Sequence, residues 1–375
     1  MNQVVAMKCY GFEWLTDLNL STTGAAALMA SHGVDWALLQ NTIDPLPSSG
    51  VPQQIPADRY DDQRFRDAVR AEGMKVFEST AIFFDPLAYR TRPELRPVGS
   101  DGVTMAPYDW YYGISPHDSD YLNSRAERLE EVVATYQPDG VFLSFIRFPG
   151  FWEALTAQVD RHAVTDYGFA HGALERFEND TAHVLPRGGI ATKAAVILRE
   201  LRSEWTAWKC QLVVDSIATL REAVNRARPG TEVLINGLAF PAQERGPLGQ
   251  EVFGHDYRAI SQVAEHIETM VYHQILGRPV RPWIEEVVAD LRPQVSGTLL
   301  ACLQTSAAYT EPPHDGLGRA QELPAQEFVE ALKVVAQSEA DGVSIYHWTD
   351  IAAEELYGTG AMANALRRFK DGTLL

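Results

Sequence analysis

Asp139-Gly140-Val141-Phe142-Leu143-Ser144-Phe145-Ile146-Arg147-Phe148-Pro149 is the stretch on which the fold turns. Residues Gly140–Phe145 form a brief apolar run, too short for a helix and rich in the residues of a strand covered on both faces. Seven more runs share that character: Val4–Cys9, Asp35–Gln40, Lys75–Thr80, Glu232–Leu238, Thr269–Tyr272, Thr298–Gln304 and Gly342–Tyr346. Amphipathic segments separate them. Ser21–His32 opens on Ser-Thr-Thr and stops before Gly33, and Asp62–Glu72 stops before Gly73, both helix boundary signals. Ser124–Tyr136, a long Ala191–Arg228 (a bent pair or one extended helix), His255–His266, Trp283–Leu291, Ala325–Ser338 and Gly360–Lys370 complete the helices. Strand and helix alternate with no doubling of strands. Eight such units predict an α/β chain folded as one (β/α)8 TIM barrel over residues 1–375.

Such a barrel takes about 250 residues, so a chain of 375 carries large insertions. Two are visible, 81–123 and 147–190. Both follow a strand, which puts both on the face where barrels of this kind carry their active sites. Long ordered loops are costly in chain entropy and are usually kept for function.

Composition narrows the partner. Hydrophobic residues make up 46% and charged residues 22%, which excludes a disordered chain. Asp and Glu outnumber Lys and Arg by 50 to 32, a formal charge of −18. Phosphate binding needs a basic face, so nucleic acid and anionic membrane are not expected partners, and a neutral or cationic small molecule fits better. No run of about 18 apolar residues is present to span a bilayer, and the first residues are too briefly apolar for a leader. A soluble cytoplasmic protein is expected. Cys9, Cys210 and Cys302 match no disulfide framework or zinc spacing.

In a barrel the informative residues stand at the C-terminal strand ends. Here those are Glu13 and Trp14 after the first strand, Gln40 and Asn41 after the second, Glu78 on the third, and Arg147, Trp152 and Glu153 after the fourth. Asn236, Tyr272 with His273, Gln304, and Tyr346 with His347, Trp348 and Asp350 follow on the last four. Amide, carboxylate and guanidinium groups interleaved with aromatic rings suit a sugar, whose hydroxyls need paired polar partners and whose C–H faces lie on rings. Trp14, Trp110, Trp152 and Trp348 are the candidate stacking faces. Arg147, Asn236, Tyr272, His273, Gln304 and His347 are the candidate hydroxyl binders.

Asp139–Pro149 resembles the Asp-Gly-apolar-apolar-Leu-Asp-Tyr-Ile-Arg-Tyr/Phe-Pro signature of glycoside-hydrolase-like barrels of bacteria. Met270-Val271-Tyr272-His273, Leu323–Phe328 and Ala340–Tyr346 are similar to the sixth strand, last helix entry and closing strand of those proteins. The resemblance implies a carbohydrate substrate and glycosidic bond hydrolysis by a carboxylate pair, with no metal and no cofactor. One departure matters: Ser144 stands where the signature has the Asp usually taken as the essential carboxylate. The sixth and seventh strand ends also read as free of carboxylates. Glu153, just past the Pro-Gly turn, is then the best general acid, with Asp350 as base or nucleophile and Glu13, Glu78 and Asp44 as other partners. The separation of the pair would distinguish inversion, about 6.5–9.5 Å, from retention, about 5–5.5 Å.

Each residue also has a plain structural reading. Arg147 could tie its loop by a salt bridge to Glu153. Glu13 and Asp350 could be helix N-terminal carboxylates. Glu78 could face the helices and pair with a base, His273 and His347 could be rim histidines, and the tryptophans could pack loops. Two other functions compete. Glu78, Glu153, His273 and His347 could make a divalent-metal isomerase or epimerase site, and Ser144 makes a non-catalytic carbohydrate-binding barrel credible. Gln304-Thr305-Ser306 and His347-Trp348-Thr349 are not the Gly-rich turns a phosphate site wants.

Overall fold

The apolar runs become strands and hydrogen-bond in sequence order, each parallel to the next, until the eighth pairs with the first: a closed barrel. The computed structural model describes residues 3–46, 59–312, 314 and 316–374. The strands are β1 (Val4–Cys9), β2 (Trp36–Leu39), β3 (Lys75–Ala81), β4 (Gly140–Ser144), β5 (Glu232–Leu238), β6 (His266–Met270), β7 (Thr298–Gln304) and β8 (Gly342–Tyr346). Alternation along each strand sorts the side chains. Val5, Met7, Ala37, Leu39, Val76, Val141 and Leu143 point out into the large core shared with the helices. Ala6, Trp36, Leu38, Phe77, Phe142, Leu234 and Leu300 fill the barrel interior. The expected Ala191–Arg228 helix is a pair, Ile190–Glu200 and Arg202–Ala227. Among the described residues no helix is long and apolar enough to cross a membrane.

The Asp-Gly pairs before β4 and β8 have a structural reason. The Asp139 carboxylate accepts the Val76 N–H at 2.9 Å, and Asp341 accepts the Leu299 N–H at 2.8 Å. Asp35 does the same for Val5 at 2.9 Å and Glu265 for Val233 at 2.9 Å. Acids thus satisfy N–H groups at the strand starts. The glycines let neighbouring strands approach. A Cβ on Gly140 would lie 2.2 Å from the Phe77 ring, and one on Gly342 would lie 2.0 Å from the Val4 carbonyl oxygen. Backbone cannot yield as a side chain can, so Gly342→Ala should strain barrel closure. Overpacking of this kind costs about 1–3 kcal/mol, and a fall in thermal midpoint would register it. An unchanged midpoint would show that β1 and β8 can part locally without loss.

The sixth strand departs from the sequence expectation. His255–His266 is not one helix: a short helix covers Tyr257–Ile260, and the chain enters β6 at His266, three residues before the expected start. His266 and Glu268 do not look like residues of a doubly covered strand. They are tolerated because both point into the barrel, where His266 packs on Trp36 at 4.7 Å and Glu268 meets a cation.

The two long excursions leave the C-terminal ends of β3 and β4 and are bonded together there. The Phe169 N–H donates to the Val98 carbonyl at 2.9 Å, and a bridge joins Val98 to Gly168. Phe145, directly after β4, has φ +54° and turns the chain over the barrel mouth.

Candidate active site

A cavity of about 470 Å³ opens at the C-terminal ends of the strands, under the two excursions. Its floor is the top of the barrel interior: Lys8, Phe142, Asn236 and Met270. Below it lies a buried polar cluster. Lys8 Nζ is 2.6 Å from Glu268 Oε1, and Asn236 Nδ2 donates to the same oxygen at 2.6 Å. Lys8 also donates to Cys302 Sγ at 3.2 Å, and the Tyr272 hydroxyl is 3.1 Å from that sulfur. Burial works against the Lys8 ammonium, but Cys302 and Glu268 outweigh it and lift its pKa above the ordinary lysine value. Burial likewise pushes the Cys302 thiol up to about 11. The cluster therefore holds Lys8 as an ammonium, ion-paired to Glu268, and Cys302 as a neutral thiol.

The walls are aromatic. Tyr10, Tyr272 and Tyr346 rise from β1, β6 and β8, and burial raises all three phenol pKa values, so each is a neutral hydrogen-bonding hydroxyl. Trp110 and Phe145 come from the excursions after β3 and β4, Trp152 packs near Tyr272 with ring centres 6.0 Å apart, and Tyr309 arrives from the loop after β7. Ser144 lines the cavity with its hydroxyl donating to the Thr80 carbonyl at 3.1 Å.

Among the described residues lining the cavity, Glu153 is the one carboxyl. It sits on the short 3-10 turn Trp152–Ala154 and is only 5% exposed. Burial raises its pKa to about 7, against the opposing influence of Arg147, of a backbone N–H and of Arg319. Its Oε2 has no hydrogen-bond partner. Arg147, 2% exposed, lies over the Phe145 ring at 5.0 Å, and its Nε and Nη1 are also without partners. The salt bridge expected between these two side chains as a loop tie is therefore not formed.

Of the sixteen residues nominated from sequence, the cavity gathers Gln40, Trp110, Arg147, Trp152, Glu153, Asn236 and Tyr272. The others are held elsewhere. Glu78 is on the outer face of β3, bonded to Arg66 Nε and Nη2 at 2.5 and 2.7 Å, because its position in the alternation faces the helix Asp62–Ala71. Glu13 is exposed in the first turn of the helix Glu13–Thr16, and Trp14 stacks on Phe65 at 4.8 Å in the outer core. Asn41 Oδ1 accepts the Asp44 N–H at 2.6 Å and shapes the turn after β2, while Asp44 pairs with Arg125 at 2.5 Å. His273 is 2.9 Å from Glu327, and Gln304 donates to Gln274 at 3.0 Å and to the Ser306 carbonyl at 2.9 Å. Trp348 is buried, its indole N–H on His32 at 3.2 Å. Asp350 is in the first turn of the helix Trp348–Tyr357, accepts the Thr305 hydroxyl at 2.6 Å and has His347 at 3.7 Å, so it sits at a helix N-terminus and not on the cavity wall. The set Glu78, Glu153, His273 and His347 is dispersed, and no group of three or more His, Cys, Asp or Glu among the described residues could share a cation.

Sequence reading missed Lys8, Tyr10, Glu268, Cys302 and Tyr309. The period of β1 was a usable signal: Val4, Ala6, Lys8 and Tyr10 share a face, and a lysine in an apolar strand needs an anion inside the barrel.

No protein-family model matches the chain, and no curated protein sequence does. Solved structures do. The chain is similar to the PgaB (BpsB) glycoside hydrolase domain from Bordetella bronchiseptica, with 15% identity over 99% of both chains and a TM-score of 0.68. It is similar to a β-galactosidase from the psychrophilic Marinomonas ef1, at 12% identity and TM-score 0.61, over 92% of this chain and 54% of that one. A chitinase from Chromobacterium violaceum matches over 98% of both chains at 12% identity and TM-score 0.51. At such identities the likeness is one of fold.

Proposed function

We propose that this protein is a carbohydrate-active hydrolase in which Glu153 is the general acid. The observation that carries the reading is a buried carboxyl at the cavity wall, one oxygen unpartnered, with a pKa raised by burial to about 7. An acid for glycosidic cleavage must hold a proton near neutrality and have a free oxygen to present to the leaving group. Trp110, Trp152 and Tyr309 are ring faces for a sugar, and Asn236, Tyr10, Tyr272 and Tyr346 are polar partners for its hydroxyls. Solved barrels of the same fold are described as a glycoside hydrolase domain, a galactosidase and a chitinase, which agrees with the reading. Asp350 lies off the cavity wall and Glu268 is ion-paired to Lys8 beneath the floor, so among the described residues no second cavity carboxyl takes the base or nucleophile role first given to Asp350.

A second reading has its own support. One carboxyl on the wall among the described residues, with Ser144 at the signature's Asp position, also suits a barrel that binds a glycan without cleaving it. Release of reducing ends from a panel of oligosaccharides and aryl glycosides separates the two. Turnover by the wild type, undiminished after prolonged chelation, is the expected result. Sugar binding with no turnover of any substrate would favour the binding protein, and loss of turnover on chelation with rescue by Mg²⁺, Mn²⁺ or Zn²⁺ would favour a metal mechanism.

A further inference from the structure

Arg147 is a guanidinium 2% exposed at the wall of the cavity, with Nε and Nη1 unpartnered and no carboxylate among the described residues bonded to it. Leaving such a charge buried and unpaired is costly, so buried charges are normally paired. The surrounding charges do not supply a partner. Lys8 and Glu268 Oε1 form an ion pair at 2.6 Å, and Glu268 Oε2 is left without a hydrogen-bond partner. Arg319, also buried, donates to the carbonyls of Ile275, Tyr309 and Glu153, and is therefore a second guanidinium held by neutral groups. Glu153 is protonated below about 7. The wall of this cavity is thus locally cationic in a chain whose net charge is −18.

We propose that the cavity takes an acidic sugar, its anionic substituent seated on Arg147 and its ring against the aromatic wall. This rests on the carbohydrate reading above but does not require cleavage. The planar fork of a guanidinium matches a carboxylate or a sulfate in two parallel hydrogen bonds, a geometry that a neutral hydroxyl cannot reproduce. It also revises the expectation from net charge of a neutral or cationic ligand, because the field at a small cavity is set by the few charges lining it.

The test is calorimetric titration with matched sugars: glucuronate against glucose, galacturonate against galactose, mannuronate against mannose, and the 6-sulfates of the three hexoses. At least one acidic sugar should bind roughly 10–100-fold more tightly than its neutral partner, the range of a charge-assisted hydrogen bond. Whether carboxylate or sulfate leads identifies the substituent. Arg147→Met should abolish the preference, and with the unpaired charge gone its ligand-free thermal midpoint should be equal to or above that of the wild type. Equal binding within every pair, a preference that survives Arg147→Met, or binding of no sugar at all would overturn the proposal. If Arg147→Met does not fold, the wild-type pairs decide alone. Tight binding of an acidic sugar without turnover of its aryl glycoside would sink the hydrolase reading and leave this one standing. Turnover of neutral glycosides with no acidic preference would do the reverse.

Discussion

Glu153→Gln should reduce turnover by about 10²–10⁴-fold, the usual loss when a catalytic acid is removed, without lowering the thermal midpoint. The amide keeps the shape and the second polar atom but cannot give up a proton. The wild-type rate should fall as pH rises through about 7, where Glu153 ionises. Stability should follow the same group with a definite sign. In the unfolded chain the carboxyl titrates near 4.5, and in the folded protein near 7. Between these values the unfolded state releases a proton that the native state retains, so stability falls from pH 4.5 to about 7 and then levels off. The total loss is on the order of 3 kcal/mol at most, from about 1.4 kcal/mol per pKa unit. Glu153→Gln lacks this slope, so its midpoint relative to wild type should rise with pH. Denaturation at pH 4.5 and pH 8 on both proteins measures it. A variant with near-normal turnover would remove Glu153 from the chemistry. A variant destabilised equally at both pH values would mean that the side chain has a structural partner after all.

The second large effect concerns the cluster beneath the floor. Lys8→Met leaves the Glu268 carboxylate, fully buried, with only the Asn236 amide against it. Breaking a buried ion pair from one side typically costs about 3–5 kcal/mol, because the remaining charge is uncompensated. On a total of about 5–15 kcal/mol for a native protein, that should be visible as a large drop in denaturant midpoint. Lys8→Met combined with Glu268→Leu removes both charges and should recover most of the loss. Recovery stays incomplete, since Asn236 then loses its acceptor. If the double variant were as unstable as the single one, packing rather than charge would be the origin of the effect.

Much of the architecture was legible because it depends on local pattern. Gly140–Ser144, Glu232–Leu238 and Thr298–Gln304 are strands whose apolar character needs no partner to be recognised. The exception, β6, shows the limit. His266-Ile267-Glu268-Thr269-Met270 alternates polar and apolar, and in a doubly covered sheet the polar half is acceptable only if the barrel interior supplies partners. Those partners, Lys8 and Trp36, lie more than two hundred residues earlier. At the site the loop after β4 was readable in part, since Arg147, Trp152 and Glu153 all reach the cavity. The nominations from strand ends fared differently wherever a helix began at once, as at Glu13 and Asp350, where the carboxylate joins the first helical turn.

The sequence by itself determined the order of strands and helices, their closure into a barrel, and the two excursions over its C-terminal mouth, because periodicity and boundary residues are local properties. Only the tertiary structure decided which strand carboxylates point into the barrel. Glu78 and Glu268 are both acids within strands, yet one points out to Arg66 and the other in to Lys8, and a strand's period distinguishes two faces without saying which is inside. It decided as well that Arg147 and Glu153, six residues apart, stay unpaired. Sequence proximity suggested a salt bridge. The backbone turn at Phe145 and the short helix at Trp152–Ala154 instead leave Glu153 Oε2 and Arg147 Nε and Nη1 without a partner at the cavity wall.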